Sequence, residues 1–305
     1  MKKQCYIYMN CFGKVLRDYL LEIPDFASAY TTTVFYVMDS VTTVDIDLIK
    51  VCDLFLYQDI SAVALKSTDP NTDLTQYTTD YIVSCLLSHG CRKISVPSVY
   101  FSGYFYDGIP QSKLPEHIKS QKTLSGKPCA DYFPNYCFNA QLLRLAMEPG
   151  IPALQIVRTL SNPALYDKSL VLKNLETTLN NLKERETRNK VDIPLTEFIR
   201  TNFRKKRLFH TTNHPTIVIF EHVINRIFEL LGLTTRTTLN KDLMERQARV
   251  PILPCVLEAL GIPEHTNTFG GPFYVQTKKI DTFEDYVGEY VTILKSMNLF
   301  TQQTL

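Results

Sequence analysis

The sequence predicts an α/β fold: a small parallel sheet flanked by helices in the N-terminal part, followed by a predominantly helical C-terminal part. Three observations carry this. Four short apolar, β-branched or aromatic runs occur before residue 100, at Gln4–Met9, Thr33–Met38, Leu54–Tyr57 and Lys93–Val96. Helical segments separate the last three, around Asp45–Cys52 and Tyr77–His89, as crossovers between parallel strands require. From about Ala140 onward, apolar residues recur at three- and four-residue spacing instead. We expect an α/β part over residues 1–138 and a mainly helical part over 139–305, packed together as one unit.

Taken in order, QCYIYM (Gln4–Met9) is a buried strand, broken by Asn10-Cys11-Phe12-Gly13-Lys14 before a helix over Val15–Leu21. Cys11 therefore falls at a strand's carboxyl end and near a helix N-terminus. In open α/β sheets ligands gather at the carboxyl ends of strands. If the other three runs are parallel strands, Asp39-Ser40, Gln58-Asp59 and Ser98–Tyr100 join Cys11 along one edge. Tyr100–Asp107 (YFSGYFYD) has five aromatic residues in eight. Its phenylalanines fit a core, whereas Tyr100, Ser102, Gly103 and Tyr104 fit the wall of a substrate pocket, as does Gln58. Ile109–Asn139 is rich in Pro, Gly, Ser and Lys and is expected to be a long irregular excursion.

Leu172, Leu175, Leu179 and Leu182 mark an amphipathic helix that ends in KERETRNK, a mixed charge run expected on a solvated face. Ile193–Phe203 is another helix. Ile217, Phe220, Ile224, Ile227 and Leu231 form the apolar stripe of a third. Pro251–Gly261 and Asp281–Leu299 follow, the last with Asp281 as cap and Glu284 three residues on.

The 305 residues are 45% hydrophobic and 21% charged, with a net charge of +2. That charge is too small for a general nucleic-acid binder, so cationic function must come from local clusters. Eight cysteines, at 5, 11, 52, 85, 91, 129, 137 and 255, show no disulfide framework and no CxxC pair, so no metal site is expected. MKKQCYIYMN falls short of a signal-peptide core, and no apolar run approaches the roughly 18 residues of a membrane span. A cytoplasmic protein with reduced thiols is expected.

Two stretches point to chemistry. A helix N-terminus lowers a thiol pKa, which favours the Cys11 thiolate. The backbone N–H groups of Phe12, Gly13 and Lys14 can meet an anion there. The second stretch is Arg204–Thr216, RKKRLFHTTNHPT. Pro215 suits a helix's first turn, which makes His214 the expected N-cap. The helix dipole then favours a neutral imidazole, able to accept a proton near neutral pH. His210 is the alternative base. Arg204, Lys205, Lys206 and Arg207 are either a solvated helix end or a grip for phosphates. A thiol, a base and an anion site together describe acyl transfer from a phosphorylated carrier, with Cys11 as nucleophile or as positioning group.

The blocks YMNCFG, VPSVYFSGYFYD and RLFHTTNHPT, in that order over roughly residues 1–235, resemble the bacterial WcbI-type acetyltransferases of polysaccharide biosynthesis. The first block departs from the family's usual Gly-Asn-Cys-Gln: Met9 replaces Gly and Phe12 replaces Gln, while Asn10 and Cys11 are kept. The resemblance implies binding of coenzyme A and acetyl transfer from acetyl-CoA to a hydroxyl of a capsular polysaccharide or its precursor. It singles out Asn10, Cys11, His210, Asn213 and His214. The strand–thiol–helix start is also similar to Rossmann-like SGNH hydrolases with Cys in place of Ser, an analogy of fold alone. A glycan esterase or deacetylase, and a non-enzymatic coenzyme A binder, are the competing readings.

Overall fold

A computed structural model describes residues 2–109, 138–148, 150–246, 248–263, 270–275 and 278–296. Most of the expected excursion, including His117, lies outside the described residues. The chain forms two compact units. The first comprises Met1–Val99, Leu182–Phe198 and Ile217–Lys241; the second comprises Tyr100–Asn181, Ile199–Thr216 and Asp242–Leu305.

The first unit is built on a four-stranded sheet. Strands β1 (Lys3–Met9), β2 (Tyr30–Tyr36), β3 (Leu54–Tyr57) and β4 (Arg92–Ser95) are arranged 2-1-3-4, and all are parallel. Successive side chains of a strand alternate between faces. Tyr6 and Tyr8 of β1 pack in a core with Phe35, Val41, Ile49, Phe55 and Ile82. That face is covered by helix α3 (Ile46–Val51) and the segment after β3. The segment is a helix α4 (Thr79–Tyr81) running into a π-helical turn (Ile82–Leu86), rather than one helix over Tyr77–His89.

Ile7 and Met9 point to the opposite face, against helix α1 (Cys11–Glu22). Gly13 makes this approach possible: a Cβ there would stand 2.8 Å from the Met9 Cβ and 3.1 Å from Ile7. Helix α2 (Pro24–Ala29) follows directly. The chain returns much later with the long apolar helix Ile217–Leu231, whose Phe220 stacks on Phe12 at 4.4 Å and whose Phe228 meets Phe26. Because α1 and α3 lie on opposite faces, β1 and β3 flank the point where the winding reverses. Doubly wound sheets open a ligand crevice at the strand ends there.

The second unit is mainly helical. Helices α5 (Ala140–Met147) and α6 (Ala153–Leu160) precede the long α7 (Lys168–Arg188), whose last turns belong to the first unit. Helix α8 (Thr196–Asn202) leads to a short hairpin of β7 (Phe209–Thr211) and β8 (His214–Pro215). Strands β5 (Gly108–Ile109) and β6 (Phe138–Asn139) form a small antiparallel pair. With Ile217–Leu231 as α9, the remaining elements are α10 (Pro254–Leu260), the antiparallel pair β9 (Phe273–Val275) and β10 (Lys278–Ile280), and α11 (Phe283–Ser296). Gly261 ends α10 in the left-handed region at φ 67°, where glycine has no Cβ penalty. The cap of α11 is Thr282, which exchanges hydrogen bonds with Asp285, one residue later than expected.

Candidate functional site

At the reversal point of the first unit, Asn10 caps α1. Its Oδ1 accepts from the Phe12 N–H at 2.9 Å, and its carbonyl accepts from Gly13 N–H at 2.9 Å. These two amides are thereby engaged, which corrects the expectation that they are free to meet an anion. Cys11 is the first helical residue. The N–H groups of Phe12 and Cys11 favour its thiolate, but burial is the larger effect and pushes the thiol pKa up. The expected depression at the helix N-terminus is thus overturned, because desolvation of the charged sulfur outweighs two backbone hydrogen bonds. Lys14 is drawn aside, 3.7 Å from Asp39 and over the ring of Tyr36.

Gln58, the residue after β3, is almost fully buried. Its Oε1 accepts from the Asn10 N–H at 3.1 Å, and its Nε2 donates to the Pro97 carbonyl at 3.3 Å. Both ends of the amide are satisfied, so Gln58 ties the Cys11 turn to the end of β4. Its expected role in binding substrate gives way to that of a strut.

The second unit carries the histidines. His214 does not cap a helix: it pairs with Thr211 across the hairpin, Pro215 pairs with Phe209, and α9 starts only at Ile217. Thr212 and Asn213 make the turn, and Asn213 Oδ1 accepts from the Thr211 hydroxyl at 3.0 Å. The His214 imidazole is still kept neutral, but the cause is burial first and the neighbouring His210 second; its pKa is lowered to about 4. His210 is buried and also lowered, by desolvation, against the opposing pull of Asp242. Its Nε2 lies 2.9 Å from Asp242 Oδ2. The Nδ1 atoms of both rings are buried and have no hydrogen-bond partner. Buried polar atoms are nearly always paired, so each of these nitrogens has capacity for one further hydrogen bond.

The aromatic block serves this hairpin from behind. Phe101 N–H donates to the Thr212 carbonyl at 2.7 Å, and the Phe101 ring stacks on Phe209 at 5.0 Å. The Tyr104 hydroxyl donates to the Phe203 carbonyl at 2.6 Å, and Ser102 bonds Asn174 and Thr178 of α7. A Cβ at Gly103 would strike the Phe101 ring at 2.5 Å. Tyr104 and Ser102, expected to meet substrate, are instead occupied inside the unit. The Tyr100 carbonyl accepts from Thr178.

The basic run divides. Arg207 is 3% exposed and donates to the carbonyls of Phe209, His210 and Val250, so it braces the hairpin and corrects the reading of it as a phosphate ligand. Arg204, Lys205 and Lys206 are exposed, with Arg204 Nε also donating to the Leu260 carbonyl at 2.7 Å. Thus Asn10, Cys11, Phe12, Gly13, Lys14, Asp39, Ser40, Gln58, Asp59 and Ser98 lie in the first unit, while Tyr100, Ser102, Tyr104, the basic run, His210, Asn213 and His214 lie in the second. Asp242 is the residue that the sequence reading missed. It follows His210 by 32 positions in a stretch with no spacing signal, so only the fold pairs them. Among the described residues, no group of three or more His, Cys, Asp or Glu is arranged to hold a metal ion.

A parallel 2-1-3-4 sheet flanked by helices defines an α/β fold. A model of the polysaccharide biosynthesis enzyme WcbI family matches residues 4–236, and the chain belongs to that family. The fold is also similar to a solved structure described as native WcbI, a novel polysaccharide biosynthesis enzyme, without a disulfide bond between coenzyme A and one of its cysteines. The TM-score is 0.70 at 20% identity, covering 98% of this chain and 94% of that one. The comparison with curated proteins gives no match. No helix among the described residues is long and apolar enough to cross a membrane.

Proposed function

We propose that this chain binds coenzyme A and transfers an acetyl group from acetyl-CoA to a hydroxyl of a capsular or related polysaccharide, or of its precursor. The observation that carries the reading is the neutral, incompletely bonded histidine pair braced by Asp242. Family membership supports a role in polysaccharide biosynthesis, and the similar solved protein is described together with coenzyme A. Acetyl-CoA, when bound, supplies the activated acyl group. Arg204, Lys205 and Lys206 are the exposed cations suited to its phosphates. His214 takes the proton of the acceptor hydroxyl and returns it to the departing thiolate; being neutral above pH of about 4, it is ready throughout the physiological range. Asp242 orients His210 and offsets positive charge that develops on the pair. Cys11 is a second required group, as nucleophile or as positioning thiol. The reading locates the protein in the bacterial cytoplasm.

Calorimetric titration tests the carrier. Coenzyme A should bind at micromolar concentration, and Lys205→Glu with Lys206→Glu should weaken it roughly tenfold or more, as loss of charge-assisted contacts predicts. No binding at high micromolar coenzyme A would remove the reading.

A further inference from the structure

At the amino ends of its strands, the sheet of the first unit carries a pair of thiols in contact. Cys52 ends α3 and leads into β3, while Cys91 leads into β4. The two strands pair in parallel from Leu54 opposite Arg92, and the Arg92 N–H donates to the Asp53 carbonyl at 2.8 Å. This register holds the cysteines side by side. Their sulfurs are 3.6 Å apart, although 39 positions separate them in the chain. Cys52 is 1% exposed and Cys91 7%. A disulfide bond is about 2.05 Å long, so forming one asks for a shift of about 1.5 Å shared between two side chains.

The two sulfurs are not equivalent. The Cys91 S–H donates to the Arg92 carbonyl at 3.7 Å, which leaves Cys52 as the donor between the sulfurs. That hydrogen bond, with the charge of Lys93, holds the Cys91 thiol below its ordinary pKa against burial and Asp53. The same bond, with burial, pushes Cys52 up. Cys91 is therefore the more nucleophilic member and Cys52 the resolving one. Cys91 also follows the exposed turn Ser88–Gly90, and its N–H donates to the Ser88 carbonyl at 3.1 Å. Local opening of that turn admits a small reagent. Cys5 of β1 is near both sulfurs, but burial holds it as a thiol.

We propose that Cys52 and Cys91 form a redox-sensitive staple, which hydrogen peroxide closes into a disulfide and a thiol reductant reopens. The Cys91 thiolate attacks one peroxide oxygen and the O–O bond breaks, giving the sulfenic acid and hydroxide. Cys52 then gives up its proton and attacks the Cys91 sulfur, and the sulfenic oxygen leaves as water. Two thiols and one peroxide thus become one disulfide and two waters. The bond closes a loop that contains β3 and a stretch with only short helical turns, so it stabilises the unit by restricting the unfolded chain. It lies at the amino ends of the strands, whereas Cys11 follows the carboxyl end of β1. The staple therefore acts on the fold, and it stands independently of the acetyl-transfer reading.

The test is treatment of the full chain with hydrogen peroxide at neutral pH, followed by peptide mapping without reduction and by urea unfolding. The wild type and Cys5→Ala should both yield a peptide linked through Cys52 and Cys91, which dithiothreitol separates. In Cys52→Ala, Cys91 should instead gain oxygen. The urea midpoint of the wild type should rise on oxidation and return on reduction, and that of Cys52→Ala should not rise. The wild-type map decides the pairing even where a variant fails to fold. Cys52 and Cys91 both still free once the exposed Cys85 is fully oxidised would overturn the proposal. So would a bond from either of them to Cys5, or a midpoint that the Cys52–Cys91 bond leaves unmoved or lowers.

Discussion

Two opposed effects meet at the sulfur of Cys11, and burial wins over the helix amides around it. A half-buried thiol with a raised pKa reacts slowly with electrophiles at neutral pH. Among the six described cysteines, Cys85 is exposed, so it should be alkylated by iodoacetamide at pH 7 well before Cys11. Mass-spectrometric mapping in which Cys11 is labelled first would show the opposite balance. At His210, Asp242 supplies orientation and a compensating charge. Asp242→Asn keeps an oxygen for the Met244 and Glu245 amides but loses that charge, so kcat should fall about a hundredfold with coenzyme A affinity retained. An unchanged kcat, or a loss of coenzyme A binding in step with it, would assign Asp242 to the fold alone. The two histidines were visible in the sequence as a spaced pair. The reason for their neutrality was not, because it follows from burial, and at His214 also from the neighbouring His210, rather than from a helix end.

At the scale of elements, close approach and satisfied helix ends set the tolerances. Gly13→Ala places a Cβ against Met9 on a helix already seated on β1, and should destabilise by about 1–3 kcal/mol as an overpacked core contact. A urea midpoint equal to wild type would mean that α1 can shift without loss. Glu186 shows what periodicity misses. It lies within a run expected to be solvated, yet it is 4% exposed, and its carboxylate accepts from the Leu195 and Thr196 amides and the Thr196 hydroxyl at the start of α8. The four strands were legible because β-branched and aromatic runs between turn residues have few other uses. Thr211–Pro215 was not, since a two-residue strand lacks a period and its pairing alone distinguishes it from a cap. In α7, Val171 rather than Leu172 is fully buried, a one-residue rotation that a leucine count cannot resolve.

For the whole molecule, the parallel pairing of the strands followed from crossover logic, while each unit gathers three separate stretches of chain. Hydrophobic pattern reports local structure and says little about which distant segments return. A buried neutral histidine also couples the fold to pH. The free imidazole titrates near 6.5 and the folded His214 at about 4, so between these values the unfolded chain binds more protons. Stability contributed by this site is therefore complete above pH 6.5 and falls as pH drops toward 4, by up to about 3 kcal/mol. Urea titrations at a series of pH values should show the difference between wild type and His214→Gln narrowing over that window. A difference independent of pH would mean that His214 protonates freely in the fold.

The central claim is acetyl transfer assisted by a neutral His214, and its most direct test is turnover of acetyl-CoA. Release of free coenzyme A thiol in the presence of an acceptor glycan should require the intact chain and drop at least a hundredfold in His214→Ala. Its rate should stay level from pH 8 down to about 5, because the imidazole remains unprotonated there. Unchanged release in that variant, or an acid limb centred near pH 6.5, would contradict the account.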